Sequence, residues 1–508
     1  MKYRLKLKLN LGAAEAGDDE LPFAFMLITL MASCGVSPYE SFKRLRHIEL
    51  LPFVKKESEE VVRQVEVLNK DPLTAMLHTA DQTKSETYGD FLRGYVSTVK
   101  SGGSVTSYLK SKLRSIFEVR AVAAIRSIER LETLVESYMV MLLVLLCVYI
   151  LVAVMSSATF ATTIGMGISG GPIMVYLILF VAMPSVSMFF MFVAQILRKG
   201  TLMDLKSIYF KALPFVVVSG GLLAALVLVP DVLTALTNVT LSLQSALNAA
   251  LPSLRMQTLV GNTVPLFVTV CLVFVSLVPT LTYKSIVGIN MKAEDSMPSF
   301  LRDVSETRKT GMSPEKSIVH SAGRKGYGSF SKILERIVNQ IEWGVSLRKI
   351  YSDLQDWLKS WPVLTNFLIL IETIEVGGGS PEALELLAGY SERIRDIEKS
   401  KRDMLRPYVV LPFIWTVLMA LTFSFTFYVV TQLPTGFPGG SEFPLVKGQI
   451  ALFSCAIIFH SWVSGFFIGK VTQGNFAAGF KYSLLLAVVA FVSLLISQNI
   501  IDIIFGAL

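Results

Sequence analysis

Few residues of this 508-residue chain have types and spacing that suit chemistry. The nearest approach to a phosphate loop is Gly465-Phe466-Phe467-Ile468-Gly469-Lys470-Val471. There, glycines would let backbone N–H groups cradle phosphates and the lysine would reach the terminal one. The spacer is one residue short, Val471 stands where a Ser or Thr would hold magnesium, and no strand precedes it, so it does not read as a nucleotide site. Gly167-Ile168-Ser169-Gly170-Gly171 has nucleophile-elbow spacing, yet it falls in a short hairpin between two apolar runs and reads as a loop. His47, His78, His320 and His460 are scattered, none with a second ligand type at zinc spacing. His460 lies midway along an apolar run, where a helix-to-helix hydrogen bond or a proton relay would use it. The four cysteines, Cys34, Cys147, Cys271 and Cys455, show neither metal nor disulfide spacing. No catalytic, metal or cofactor site is expected, and the chain reads as a non-enzyme.

What the sequence offers instead is turn chemistry and charge. Gly35-Val36-Ser37-Pro38 and Gly311-Met312-Ser313-Pro314 each join a glycine that can end a helix to a serine N-cap with proline at the first helical position. Gly102-Gly103-Ser104 and Gly378-Gly379-Ser380-Pro381 are a second pair of such punctuations, and Glu375 stands just ahead of the latter. Basic residues gather at Arg114, Arg120, Arg126 and Arg130, and at Arg393, Arg395, Lys399, Lys401 and Arg402.

The elements that must hold these residues are helices, two sets of them. Slid by 276 residues, the chain matches itself: Pro22 meets Pro298, the two Gly-x-Ser-Pro turns coincide, and Phe91-Leu92 meets Phe367-Leu368. In the same register Gly102-Gly103-Ser104 meets Gly378-Gly379-Ser380. Leu334, Ile337, Val338 and Ile341 keep the i, i+3, i+4, i+7 spacing of one apolar helix face. The chain is 52% hydrophobic and 17% charged, more apolar than a water-soluble domain. Seven runs, near 138–160, 171–197, 212–230, 258–282, 408–432, 448–469 and 482–506, are long enough to cross a bilayer. Of the 47 Lys and Arg, all but Arg255 and Lys447 fall on one side of that layout, which predicts a cytoplasmic N-terminus and an extracytoplasmic C-terminus. The net charge of +8 therefore reports orientation, and nucleic-acid binding is not expected. The alternating arm Met1 to Asn10 has no signal-peptide pattern and reads as a solvated or membrane-surface tail or as a partner-binding strand.

The expected architecture is all-α: a polytopic membrane protein with two repeated cytosolic helical bundles and about seven transmembrane helices. The domains are 1–136 (first cytosolic bundle), 137–283 (four spans), 284–407 (second bundle) and 408–508 (three spans).

Two glycine-punctuated helical bundles, each ahead of membrane helices, resemble the F-type domain of type II secretion and type IV pilus platform proteins. The string Ile374-Glu375-Val376-Gly377-Gly378-Gly379-Ser380-Pro381-Glu382-Ala383-Leu384 is similar to the family signature of a Glu, a Gly-rich turn and a Leu-rich helix. Copy one departs from it, with Val99 where copy two has Glu375. Two copies with about seven spans resemble the archaeal platforms of the archaellum and of adhesive pili. The likeness implies a multi-pass protein of the cytoplasmic membrane, a homodimer, that couples a hexameric secretion ATPase to pilin or archaellin subunits amid membrane lipids. The basic residues named above are then candidates for ATPase docking, or else helix faces turned to solvent and lipid headgroups. A transporter built on internal repeats is the alternative, although the span centres lack the acids and bases that an ion-coupled pathway uses.

Overall fold

The computed structural model describes residues 20–155, 171–198, 206–228, 230–250, 262–432 and 444–505. The N-terminal arm, the Gly167–Gly170 loop and Arg255 lie outside the described residues. Within them every regular element is helical, as expected. Among the described residues seven helices are long and apolar enough to cross a membrane.

The first copy of the repeat is α1 (Leu21–Ser33), α2 (Pro38–Leu45), α3 (Pro52–Glu66), α4 (Pro72–Gln82), α5 (Glu86–Lys100) and the start of α6 (Val105–Met155). Next come α7 (Gly171–Leu177), α8 (Met183–Leu197), α9 (Lys206–Leu228), α10 (Pro230–Ala250) and α11 (Thr263–Lys309). The second copy takes the end of α11, then α12 (Pro314–Ala322), α13 (Ser331–Glu342), α14 (Leu347–Trp357), α15 (Trp361–Gly377) and α16 (Pro381–Leu405). Finally α17 (Leu411–Gln432), α18 (Pro444–Gln473) and α19 (Gly479–Phe505) complete the chain. Helices α6 and α11 have 51 and 47 residues, roughly 70–77 Å at 1.5 Å per residue. A single helix in each case is both the polar bundle's element and the first apolar run beside it.

The punctuation matches between copies atom for atom. Ser37 Oγ accepts the Glu40 N–H and Ser313 Oγ accepts the Lys316 N–H, both at 3.3 Å. Ser104 and Ser380 cap Ser107 and Ala383 in the same way. Each such cap satisfies one of the orphan donors at a helix start, typically stabilising by ~1 kcal/mol.

Contacts divide the chain into two compact units, Met1–Ile125 with Gly288–Lys399 and Arg126–Val287 with Ser400–Leu508. In the first, both copies share one hydrophobic core. Its centre is α1 and α15, whose sequences are predominantly apolar and so are buried over most of their surface. Eleven of the 13 residues of α1 and 13 of the 17 of α15 are buried. They meet directly: the Phe23 and Trp361 rings lie edge to face, 4.6 Å apart, and Trp361 Nε1–H donates to the Leu50 carbonyl. A second inter-copy stack joins Phe117 of α6 to Tyr390 of α16 at 4.9 Å.

The second unit is built around α18. A Cβ on Gly465 would lie 2.3 Å from the Ser483 nitrogen, and one on Gly469 2.3 Å from the Gly479 nitrogen. Small residues four apart thus let α18 and α19 touch backbone to backbone. That is the physical role of the glycines in the near-phosphate-loop run, which is helical throughout. Tyr138 of α6 hydrogen-bonds Ser187 of α8 at 2.9 Å and Ser464 of α18 at 2.8 Å. His460 is buried, with Nε2 3.5 Å from the Ser464 hydroxyl. Pro184, which lacks an N–H, follows a π-helical turn at Ile178–Ala182 where α7 runs into α8. Helix α10 carries Thr240, which is buried and whose hydroxyl lies 3.1 Å from that of Thr263 on α11.

Candidate partner-docking face

Helix directions in the first unit can be read from their end contacts. Asn290 of α11 accepts the Lys359 and Ser360 N–H groups at the start of α15. At the other end of both helices, Arg308 of α11 donates to the carbonyls of Gly379 and Gly378, each at 2.9 Å. So α11 and α15 run parallel, and the unit has an Asn290 end and an Arg308 end. The apolar run of α11 precedes the Asn290 end in the chain.

The glycine turns gather at the Arg308 end. Gly311 and Gly378 hold φ of +90° and +61°, where an added Cβ would be strained. Gly35, Gly102 and Gly379 also have positive φ, whereas Gly103 does not. Cys34 packs so closely on Gly377 that a Cβ there would lie 2.2 Å from its sulfur.

Beside these turns sits an ion cluster that joins the copies. Arg348, at the start of α14, bridges Glu372 at 3.0 Å and Glu375 at 2.8 Å on the last turns of α15. Arg44 of α2 approaches Glu372 from the first copy at 3.7 Å. Burial pushes the Glu372 carboxyl up, against the pull of Arg348 and Arg44. Glu375 is therefore an ion-pair partner of Arg348, and the Val99 of copy one has no such task. Glu372, Arg348 and Arg44 were not legible as a site, because their matches in the other copy are Val96, Pro72 and His320. Nothing in local spacing brings them together.

The basic residues lie elsewhere, along α6 and α16. Arg114 and Arg393 are exposed, and both act electrostatically on Tyr390. Arg395 is tied to Asp396 at 2.8 Å and to Glu392 at 3.4 Å. Arg120, Lys401 and Arg402 each have interactions of their own. Arg114, Arg120, Arg393, Arg395 and Lys399 belong to the first unit, and Arg126, Arg130, Lys401 and Arg402 to the second. Among the described residues no group of acids, histidines and cysteines is placed to hold a metal.

The family model for type II secretion system protein F matches residues 23–153 and 300–427, in register with the internal repeat. The chain belongs to this family. Each F segment begins in α1 or its α11 counterpart and extends into the apolar helices that follow. Members of the F family are platform proteins of secretion and pilus machines, membrane proteins without enzymatic activity that work with secretion ATPases and pilins. This F-family chain is thus a multi-pass membrane protein. It is 23% identical over 502 residues to an uncharacterized protein of Methanocaldococcus jannaschii, covering 94% of this chain and 79% of that one. No solved structure matches.

Proposed function

We propose that the chain is the membrane platform of an archaeal type IV pilus-like or archaellum machine, coupling a cytosolic hexameric ATPase to the insertion of pilin subunits. The observation that carries this reading is the pair of F segments folded onto one core, with seven candidate spans in the same chain. The archaeal relative and the lysine and arginine asymmetry support the finer assignment, with the shared polar unit and the N-terminus in the cytoplasm. On this reading work comes from the ATPase and passes along α6, α11 and α16, the long helices that link the F segments to the apolar runs. Arg114, Arg120, Arg126, Arg130, Arg393, Arg395, Lys399, Lys401 and Arg402 line α6 and α16, where they serve either ATPase docking or contact with headgroups. The test is affinity purification of the full chain from its own membranes in mild detergent, with bound proteins identified by mass spectrometry. A secretion ATPase and a pilin are the expected companions; a folded preparation carrying neither would overturn the reading in favour of a transporter.

A further inference from the structure

The last turn of α18 carries a charge with no opposite. Lys470 is only 3% exposed. Its Nζ donates to the Gly474 carbonyl at 2.7 Å and lies 5.3 Å from the centre of the Phe476 ring. Those contacts use one of three ammonium donors and supply no anion. Arg198, at the end of α8, donates to the neighbouring Val471 carbonyl and acts on Lys470 as cation on cation. Among the described residues no carboxylate acts on Lys470. A lysine that merely caps a helix end keeps its ammonium in water at the tip of a long stem. Lys470 is instead buried, and a buried charge is costly unless it is paired.

The second sign is Asn475. It stands at the N-cap of the 3-10 turn Phe476–Ala478, which runs into α19, where an asparagine side chain ordinarily accepts a backbone N–H. Here it makes no cap bond, and its Nδ2 is buried without a partner. The two helices touch at this level, since a Cβ on Gly469 would lie 2.3 Å from the Gly479 nitrogen. The end of α18 is thereby set against the start of α19, a helix of 27 residues whose first N–H groups favour an anion. What this turn has in surplus is of one kind, hydrogen-bond donors and positive charge.

Location narrows the ligand. One candidate span ends at Gln473 and the next begins at Phe476. A two-residue turn between two crossings lies at a face of the bilayer, at the depth of the lipid phosphates. Basic pockets between membrane helices at that depth take anionic headgroups. Phosphate oxygens suit a point-charge lysine beside a planar guanidinium and an amide.

We propose that Lys470, Arg198 and Asn475 hold a phosphate group at the turn between α18 and α19. It supplies the negative charge that the protein omits there and ties the end of α8 to the α18–α19 hairpin. Depth favours the phosphate of an anionic lipid over the free ion, and the test separates the two. The glycines of the Gly465–Gly469 run take no part, being inside a helix.

The test uses the full chain in mild detergent, washed free of native lipid. Its melting temperature is read with phosphatidylglycerol, with a galactolipid that carries no phosphate, and with inorganic phosphate at matched ionic strength. We expect phosphatidylglycerol at saturation to raise it by about 3 °C or more, and the galactolipid to leave it unchanged. An equal rise with inorganic phosphate would support the site and assign it to the free ion. Lys470→Met should lose most of the rise. So should Asn475→Asp, which keeps the lysine and puts a carboxylate where the anion would sit. Lys481→Gln, an exposed position on the same hairpin, should keep the rise. A parent chain that responds to neither phosphate source, or to the galactolipid as much as to phosphatidylglycerol, would overturn the site. So would a folded Asn475→Asp chain that keeps the full rise, or a Lys481→Gln chain that loses it.

Discussion

At the level of single residues, Glu372 is a buried carboxylate reached by an arginine from each copy. Its pKa is raised chiefly by burial, so the folded chain holds the proton to higher pH than the unfolded chain does. The group therefore adds stability below its unfolded pKa and loses it as pH rises through the folded value. Glu372→Gln keeps the shape and removes the penalty. Melting curves from pH 5 to 8 should show the variant at least as stable as the parent at pH 8, the difference shrinking toward pH 5. A variant much less stable at pH 8 would mean that the pairs with Arg348 and Arg44 outweigh desolvation, as they do in tightly compensated buried pairs. The glycine turns and serine caps were readable in the sequence because each acts on its own neighbours. The Glu372 cluster was not, since its members come from α2, α14 and α15.

At the level of elements, two close approaches hold the fold. Where α1 meets α15, Gly377→Ala would drive a Cβ into Cys34. We expect a loss of about 1–3 kcal/mol from such overpacking, part of it restored when Cys34→Ala is added. The two changes should then couple by ~0.5 kcal/mol or more in a double-mutant cycle. Strict additivity would place these helices apart. In the second unit, Gly465→Ala meets backbone atoms of Ser483 that cannot swing away, and should lower the melting temperature of the detergent-solubilised protein. Gly221→Ala in α9, with open space around it, serves as the control and should leave it unchanged. Sequence spacing showed the Gly465–Lys470 run as a near miss for a phosphate loop, because a glycine that packs two helices and one that cradles a phosphate look alike until the element is known. Hydropathy located the seven candidate spans, but where α6 and α11 carry on from polar to apolar residues it could not show one unbroken helix.

For the whole molecule, the repeat announced two bundles, and the structure folds both copies into one core. Trp361 against Phe23, Phe117 against Tyr390 and Arg44 against Glu372 make that union, and none of these pairs joins equivalent positions of the two copies. Self-matching of the sequence shows likeness between copies and is silent on which surfaces of two like bodies meet. The same limit hid the turn at Lys470, since burial of a charged residue is a property of the finished fold. The central claim, that this F-family chain is the platform on which a filament is built, has a direct test in the source cell. Deletion of its gene should abolish one class of surface filament seen by electron microscopy, with the pilin still made and held in the membrane, and the full-length gene should restore it. A deletion strain that keeps every class of filament in normal number would contradict the account.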